Sequence, residues 1–287
     1  MSCLRLLQPI EEIVFSHYSQ LTAACRLEAA AGDGTSSVSS GDTKSVSSGG
    51  SDDACVLLPL PALARMHALM RAASIFGILF VAFGPPYSYL LLRLLYGATW
   101  TATDAPALLG AYCVHVCAMA INGVGEAFVN ATASPAELAA LSRRLVALAA
   151  VYLPVAALAL SYAGAIGLVA ANALNMGARI AYACVVIRRL AAASMAAAPA
   201  AASAAPPLRL LPQPAVLAGL AAAALVTNAA GWTLGAPSAR TVVHHAIHVA
   251  VGGACLLGVG VAVWRAEPEL LDALRTARRE ARAKRSE

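Results

Sequence analysis

The sequence predicts an all-α polytopic membrane protein, and two observations support this prediction. Of its 287 residues, 60% are hydrophobic and only 12% are charged, whereas a soluble domain carries about a quarter charged residues. The apolar residues also form continuous runs, and none of these runs shows the alternation over about ten residues that is typical of a membrane β-barrel. Because backbone groups in lipid must be satisfied within their own segment, we expect the runs to be helices.

Six runs reach the length of about 20 residues that a helix needs to cross the hydrocarbon of a bilayer. A seventh and weaker candidate covers residues 4–24, where Pro9 and the adjacent Glu11 and Glu12 interrupt the apolar pattern. We therefore expect six to seven transmembrane helices, with residues 1–26 as a partial one and residues 58–264 as the main membrane region. The six stronger runs lie at 66–84, 107–129, 145–163, 166–187, 214–234 and 242–264.

Three polar or irregular stretches separate or follow these runs. Residues 27–57 are rich in Ser, Gly and Asp, a composition that cannot bury a core and predicts a disordered loop. Residues 191–213 are rich in Ala and Pro and predict a second loop. Residues 265–287 form a basic tail, with a short helix expected after Pro268.

The distribution of basic residues predicts the orientation. If the spans alternate, sixteen Lys and Arg residues fall on one side of the membrane and only Arg93 and Arg240 on the other. Positive loops stay in the cytosol, so the tail and the 27–57 loop are expected there. The segment after Gly84-Pro85-Pro86 then falls on the outer side, where it predicts a helix lying at the interface. The alternative is that it extends the 66–84 helix past a proline kink.

Polar side chains recur on one face of the 107–129 run. His115, Met119, Asn122 and Glu126 are spaced by four, three and four residues, which places them along one side of a helix. This pattern fits a wall facing a hydrophilic cavity. It also fits an interhelical hydrogen bond from Asn122 with Glu126 at the headgroups, and for His115 we favour packing.

The 166–187 run repeats this pattern with Asn172, Asn175 and Arg179. An arginine at this depth needs a partner, since a charge inside a bilayer costs about 2.5–3.5 kcal/mol on insertion scales. Its guanidinium suits a carboxylate or a diphosphate. Glu126 is an alternative internal partner, which would make the pair structural.

No motif in the chain indicates chemistry on a substrate. We find no nucleophile–base–acid set, GxGxxG, P-loop or HExxH pattern, so we expect no catalytic residue, no cofactor and no enzyme activity. The seven cysteines, Cys113 and Cys117 among them, are interpreted as small apolar residues, and no metal site is expected. A basic face interleaved with aromatic residues is also missing, which argues against nucleic acid as a partner.

Four stretches of the chain resemble the Rft family of eukaryotic endoplasmic-reticulum proteins. This family is assigned to the translocation of dolichol-linked oligosaccharide and belongs to the superfamily of MATE exporters and bacterial lipid flippases. The resemblance implies a two-lobed helical flippase fold with a central polar cavity. The family is about twice as long as this chain and matches it over the C-terminal half, so we expect a fragment with about one lobe. The stretches are QPIEE (8–12), FGPPYSYLLLRLLYG (83–97), YCVHVCAMAINGVGEAF (112–128) and SYAGAIGLVAANALNMGARI (161–180).

The resemblance also implies a function and a location. The expected function is flipping of the mannose/N-acetylglucosamine-diphosphate-dolichol intermediate across the endoplasmic-reticulum membrane for protein N-glycosylation, with this lipid and the membrane as partners. Two alternatives stay open: a non-transporting scaffold of the same pathway, or a MATE-like ion-coupled exporter with Glu126 as the coupled acid. The candidates for the cavity wall at matching positions are Glu11, Asn122, Glu126, Asn172, Asn175 and Arg179.

The predicted orientation can be tested at Asn130-Ala131-Thr132, which matches the N-glycosylation sequon. Because the sequon falls at the cytosolic end of its helix, we predict that Asn130 carries no glycan. Translation in microsomes followed by endoglycosidase digestion checks this. A digestion-sensitive mass shift that is lost in Asn130→Gln would reverse the orientation.

Overall fold

The computed structural model describes residues 4–33, 57–199, 209–234, 242–272 and 275. All regular elements within these ranges are helical, which confirms the prediction of an all-α polytopic membrane protein. A further short helical stretch occupies residues 268–272, where the sequence predicts one after Pro268. The helices are α1 (Leu4–Asp33), α2 (Leu60–Tyr96), α3 (Ala98–Thr101), α4 (Ala105–Thr132), α5 (Pro135–Ala197), α6 (Pro214–Leu234) and α7 (Val242–Ala266).

Five helices of the described ranges are long and apolar enough to cross a membrane, namely α2, α4, α5, α6 and α7. Helix α5 contains two of the predicted spans, because its backbone breaks at Gly164 with φ of 58° and ψ of −145°. A positive φ of this kind is readily adopted only by glycine. The break separates the predicted spans 145–163 and 166–187, so the five helices account for all six of the stronger runs.

Helix α1 is not among these five, and its assignment as a partial transmembrane helix stays a prediction. Pro9 does not interrupt it, since the helix continues from Leu4 to Asp33. The predicted start of the first loop at residue 27 was therefore wrong: residues 27–33 are helical, because Leu, Glu and Ala in this stretch are good helix formers. Most of the remaining loop, residues 34–56, lies outside the described residues.

Helix α5 likewise extends into the stretch predicted as the second loop. Residues 191–197 are helical, and their alanines explain why, because alanine has the highest intrinsic helix propensity. The prolines at 206 and 207 lie outside the described residues. The helix therefore ends later than the boundary that the composition suggests.

The prediction of a separate interfacial helix after Gly84 was also wrong. Helix α2 runs unbroken through Pro85 and Pro86 to Tyr96, as in the alternative interpretation. Pro86 has no N–H to donate to the carbonyl of Ala82. The hydroxyl of Thr227 on α6 reaches that carbonyl instead, at 3.4 Å, so a neighbouring helix compensates for the lost backbone bond.

The chain forms two compact units. Helices α2, α4 and α5 contribute residues to both of them. Unit 1 comprises the described residues of Met1–Met66, Asn122–Val151 and Ala178–Leu208, and unit 2 those of His67–Ile121, Tyr152–Gly177 and Arg209–Glu287.

Within unit 2, helices α2 and α4 approach each other closely. Gly77 on α2 faces Cys117 on α4, and a Cβ at Gly77 would lie 2.9 Å from the Cys117 Cα. Gly84 faces Cys113 in the same way. Small residues at such positions let membrane helices approach closely and gain van der Waals contact. The contact supports the interpretation of these two cysteines as small apolar residues that pack between helices.

In unit 2, a buried ion pair connects an arginine inside α2 to the residue that follows α7. Arg71 of α2 lies 3.2 Å from Glu267, and their side chains are 5% and 0% exposed. Glu267, which directly follows α7, also accepts a hydrogen bond from the backbone N–H of Gln213 just before α6, at 2.7 Å. A second carboxylate, Glu269, lies 2.8 Å from Arg71. The described part of the C-terminal tail is thus anchored to the membrane helices through the guanidinium of Arg71.

Substitution of Gly77 tests the α2–α4 contact. We predict that Gly77→Ala lowers the free energy of unfolding by about 1–3 kcal/mol, because the new methyl group must displace the Cys117 backbone. Gly258→Ala is the matched control, since it adds the same group inside α7 with no atom within 4 Å. The control is expected to be neutral or to gain at most about 1 kcal/mol from helix propensity. Unfolding of the purified chain in mixed micelles measures both variants, and equal stability of the two would contradict the predicted contact.

Candidate functional site

Four of the six candidate residues lie in unit 1, and three of them are connected by hydrogen bonds. Arg179 of α5 donates from Nη2 to both carboxylate oxygens of Glu126 on α4, at 2.5 Å. Asn122, one turn earlier on α4, donates from Nδ2 to Glu126 Oε2 at 2.8 Å. Glu126 is therefore the centre of the cluster. It receives one neutral and one charged donor, and charged hydrogen bonds of this kind are stronger than neutral ones.

Glu11 of α1 lies beside this cluster. Its side chain packs directly on Gly123, where a Cβ on α4 would overlap the carboxylate oxygen Oε1. The negative charge of Glu126 acts repulsively on Glu11. Within the part of the chain that the structure describes, Glu11 makes no hydrogen bond and no ion pair. Gly123 is thus the residue that allows a second carboxylate to approach the Glu126 side of α4.

Aromatic packing positions α1 against α4. Tyr18 is 1% exposed, and its hydroxyl donates to the carbonyl of Ala62 at 2.8 Å. Its ring meets the ring of Phe128 edge-on, with centroids 4.8 Å apart, an arrangement that aromatic pairs prefer. Tyr18 and Glu11 are seven residues apart, or two helical turns, so the same face of α1 carries both contacts with α4.

Apolar packing positions α5 against α4. Val129 of α4 forms a small buried cluster with Leu141 and Ala183, one from each arm of α5 on either side of Gly164. The guanidinium of Arg144 lies over the Tyr182 ring at 5.1 Å, a cation–π contact between the same two arms. These contacts position the second arm of α5 along α4, so that Arg179 lies opposite Glu126.

The Glu126–Arg179 pair is only partly shielded. The Arg179 side chain is 26% exposed and that of Glu126 is 29% exposed. Two buried atoms of the cluster have no hydrogen-bond partner in the structure, Arg179 Nε and Asn122 Oδ1. An unpaired buried donor or acceptor costs about 1–3 kcal/mol. The cluster therefore holds one unused donor and one unused acceptor, which are the chemical requirements for binding a polar group.

The remaining two candidates belong to unit 2. Asn172 accepts a hydrogen bond from the hydroxyl of Tyr152, at 2.5 Å, and this bond joins the two arms of α5 near the Gly164 break. Asn175 is half-buried, one turn from Asn172 on the same helix. Sequence reasoning missed Tyr152. The available signal was that Tyr152 and Asn172 lie on opposite sides of Gly164, so that a helical hairpin turning near this glycine can bring them together.

His115 also lies in unit 2, where it is 8% exposed. Its ring packs beside that of Tyr112 with centroids 5.5 Å apart, which agrees with the packing role that we favour for it. Sequence reasoning also missed the function of Gly123. The signal was Gly123 in AINGVGEAF, one of two glycines between Asn122 and Glu126, where helix propensity alone disfavours glycine.

The fold and the cluster define a polytopic α-helical membrane protein with a charged, hydrogen-bonded group among its helices. The model of the Rft protein family matches residues 5–276. The match covers nearly the whole chain, so this chain belongs to the Rft protein family.

Individual relatives agree with the family match. The chain is 29% identical over 200 residues to the Man(5)GlcNAc(2)-PP-dolichol translocation protein RFT1 of Xenopus tropicalis, covering 67% of this chain and 34% of the relative. The proteins of the same name from Mus musculus and Dictyostelium discoideum are 35% and 36% identical over 119 and 108 residues. These two matches cover 42% and 38% of this chain and 22% and 20% of the relatives. The matched part is thus about a third or less of each relative's length. No solved structure matches the chain.

A double-mutant cycle tests the Glu126–Arg179 pair. We predict that Glu126→Leu and Arg179→Leu each destabilise the chain, because each leaves one charge unpaired among apolar helices. The double variant should be more stable than either single variant, with a coupling free energy of about 1–3 kcal/mol in mixed-micelle unfolding.

The exposed pair Arg275–Asp272 is the control for this cycle. Its side chains are 60% and 71% exposed, so the same cycle with alanine should give at most about 1 kcal/mol. Additive effects of Glu126→Leu and Arg179→Leu would show that the two side chains do not interact.

Proposed function

We propose that this chain takes part in the translocation of a dolichol-diphosphate-linked oligosaccharide across the endoplasmic-reticulum membrane, for use in protein N-glycosylation. The proposal is supported by family membership and by the names of the relatives, which are Man(5)GlcNAc(2)-PP-dolichol translocation proteins. The chain would contribute multi-pass membrane helices and a polar site. It would carry out no covalent chemistry, use no cofactor and contact no nucleic acid.

The observation that carries this proposal is the state of Arg179. Its guanidinium lies on an apolar helix, is partly exposed, and has one N–H group without a partner. A diphosphate offers several anionic oxygens, and the planar fork of arginine binds phosphate bidentately, as it binds a carboxylate. In the resting state, Glu126 supplies the counter-charge that makes the arginine tolerable. Arrival of the diphosphate would replace one anion by another, so the guanidinium is never left unpaired.

The candidate cavity residues have different parts in this proposal. Arg179 would contact the diphosphate, and Asn122 and Glu11 would line the polar surface next to it. In unit 2, taken by itself, Asn172 and Asn175 are the candidates for hydrogen bonds to sugar hydroxyls, while the dolichol tail would stay in lipid. Alternating exposure of such a site to the two sides of the membrane moves a polar group across without nucleotide hydrolysis.

In the proposed orientation of the chain in the membrane, the basic tail, residues 265–287, lies in the cytosol. The support is the excess of basic residues on one side of the predicted spans. Basic residues near an anionic lipid surface contribute about 1 kcal/mol each. The tail would therefore rest against the cytosolic leaflet, anchored at Glu267 by its ion pair with Arg71.

A second candidate function is a non-transporting scaffold of the same pathway. The observation that favours it is that two of the polar contacts are internal: Glu126 binds Arg179, and Tyr152 binds Asn172. In this alternative the polar side chains act only as hydrogen bonds between helices. Loss of either contact would then reduce function only through reduced protein abundance.

Substitution of Arg179 separates the two functions. At the chromosomal locus, we predict that Arg179→Ala makes Man5GlcNAc2-diphosphate-dolichol accumulate several-fold and leaves a reporter glycoprotein underglycosylated, by more than any fall in protein level accounts for. Tyr152→Phe, which removes one internal hydrogen bond, should leave both readouts near wild type. The matched control is Arg189→Ala, because Arg189 lies on the same helix and is exposed. The measurements are lipid-linked oligosaccharide profiling, reporter glycosylation and quantitative immunoblotting.

The proposed function is contradicted if the glycosylation defect of Arg179→Ala is fully explained by reduced abundance, or if Arg189→Ala produces the same defect. The first result supports the scaffold. Arg179→Lys provides a further check, because lysine retains the charge but lacks the planar fork. We expect it to restore abundance while it restores translocation only partly.

A further inference from the structure

The cluster around Glu126 carries an excess of negative charge. Glu11 and Glu126 contribute two carboxylates, and Arg179 contributes one guanidinium that is already bound to Glu126. The sum of two negative charges and one positive charge is a net charge of −1. Glu12 does not share this environment, since it is exposed on α1 and accepts a hydrogen bond from Gln8 at 3.2 Å. Glu126 is the charged group that acts on Glu11, and no cation compensates Glu11 among the described residues.

A second observation points to what could compensate Glu11. Asn122 is 7% exposed, and its Nδ2 is committed to Glu126. The amide oxygen Oδ1 is buried and has no hydrogen-bond partner. Asn122 and Gly123 are adjacent on α4, and Gly123 is the residue on which the Glu11 carboxylate rests. The Glu11 carboxylate of α1 thus meets α4 at the residue next to the one that carries the unpaired amide oxygen.

From these two observations we propose that Glu11 and Asn122 form a site for one monovalent cation, occupied either by Na⁺ or by a proton carried on Glu11. Na⁺ would be coordinated by the Glu11 carboxylate and Asn122 Oδ1, both hard oxygen ligands. A proton on Glu11 would convert the carboxylate into an O–H donor for which Asn122 Oδ1 is the available acceptor. Either occupant brings the cluster to neutrality. A divalent ion fits less well, because it would leave a net positive charge beside Arg179.

The site deepens the proposed function, because it gives translocation an ion to couple to. When a diphosphate takes Arg179 from Glu126, the two carboxylates lose the one counter-charge that they have among the described residues, and the affinity for a cation at Glu11 must rise. Linkage makes the effect reciprocal: a bound cation strengthens binding of the anion by the same factor. The site itself does not depend on the oligosaccharide lipid. It can therefore be tested without that lipid, and its failure is distinguishable from failure of translocation.

The experiment measures the cation directly on the purified chain in detergent. Equilibrium binding of radioactive ²²Na⁺ is determined at neutral pH, with choline keeping the ionic strength constant. In parallel, infrared difference spectra between neutral and mildly acidic pH report protonation of individual carboxylates. Each measurement is made on wild type, Glu11→Gln and Glu12→Gln. The two variants remove the same charge from neighbouring positions of α1, and only the first removes it from the proposed site.

Two results support the site. If Na⁺ is the occupant, wild type and Glu12→Gln bind about one ²²Na⁺ per chain, and Glu11→Gln loses at least tenfold in affinity. If the proton is the occupant, ²²Na⁺ does not bind, and a protonated-carboxyl band present in wild type and Glu12→Gln is missing in Glu11→Gln. Asn122→Leu should weaken either signal, since it removes the second oxygen.

The proposal is overturned if wild type shows neither saturable ²²Na⁺ binding nor a protonated-carboxyl band. Neither Na⁺ nor a proton then occupies the site, and water satisfies the Asn122 oxygen. It is also overturned if Glu12→Gln removes the signal as fully as Glu11→Gln does. Monodispersity on size-exclusion chromatography and the helical circular dichroism signal show whether each variant is folded. If Glu11→Gln does not fold, Asn122→Leu provides the same comparison on a different helix.

Discussion

The polar part of this membrane protein depends on the neutralisation of Arg179. A guanidinium on an apolar helix is tolerable only when a partner offsets its charge, and Glu126 supplies that partner from a different helix. Because the two residues are 53 positions apart in sequence, their pairing requires the whole α5 hairpin and its packing on α4. The break at Gly164, the Val129–Leu141–Ala183 cluster and the Arg144–Tyr182 contact can all be understood as conditions for this one ion pair.

Close approach between helices has a similar role in both units. In unit 2, Gly77 brings α4 within van der Waals contact of α2, and in unit 1 Gly123 admits the side chain of Glu11. Lipid offers no hydrophobic gain for helix association, so contact area and polar partners must provide it. Glycine serves both needs here: at Gly77 it allows backbone contact, and at Gly123 it makes room for a carboxylate. The same residue type therefore contributes to stability in one unit and to the candidate site in the other.

Much of the fold was predictable from hydropathy, because apolar length determines where a helix can span. All six of the stronger runs are helical, including the pair that meets at Gly164. Predictions failed where a distant partner decides the outcome. The helix continues past Pro85 and Pro86 with the hydroxyl of Thr227 compensating Ala82, and Thr227 is 141 residues away from Pro86. The predicted loop boundaries were wrong for a local reason. Alanine-rich residues at the ends of the predicted loops continue the neighbouring helices.

The candidate site was predictable to a lesser degree. Helical periodicity placed Asn122 and Glu126 on one face, and the depth of Arg179 in its helix required an anionic partner. The pairing of Arg179 with Glu126 was therefore one of two open alternatives. The approach of Glu11 to Gly123 could not be derived, because nothing local in either segment specifies which faces of α1 and α4 meet. That choice is made by Tyr18 and Phe128, an aromatic pair two helical turns from Glu11. The pairing of Asn172 with Tyr152 likewise required the hairpin geometry.

An internal ion pair and a substrate-binding arginine are compatible when the pair is considered as an exchange. Arg179 in an apolar helix with no anion would be costly, so an arginine that waits for a diphosphate needs a resident counter-charge. Glu126 has this property, and its second hydrogen-bond donor, Asn122, carries no charge. In the proposed exchange, the negative charge left on Glu126 would itself need to be offset, and Glu11 beside it would make that need larger. Under the proposed function, the requirement for charge neutrality would therefore bring an anion and a cation to one cluster, formed by Glu11, Asn122, Glu126 and Arg179.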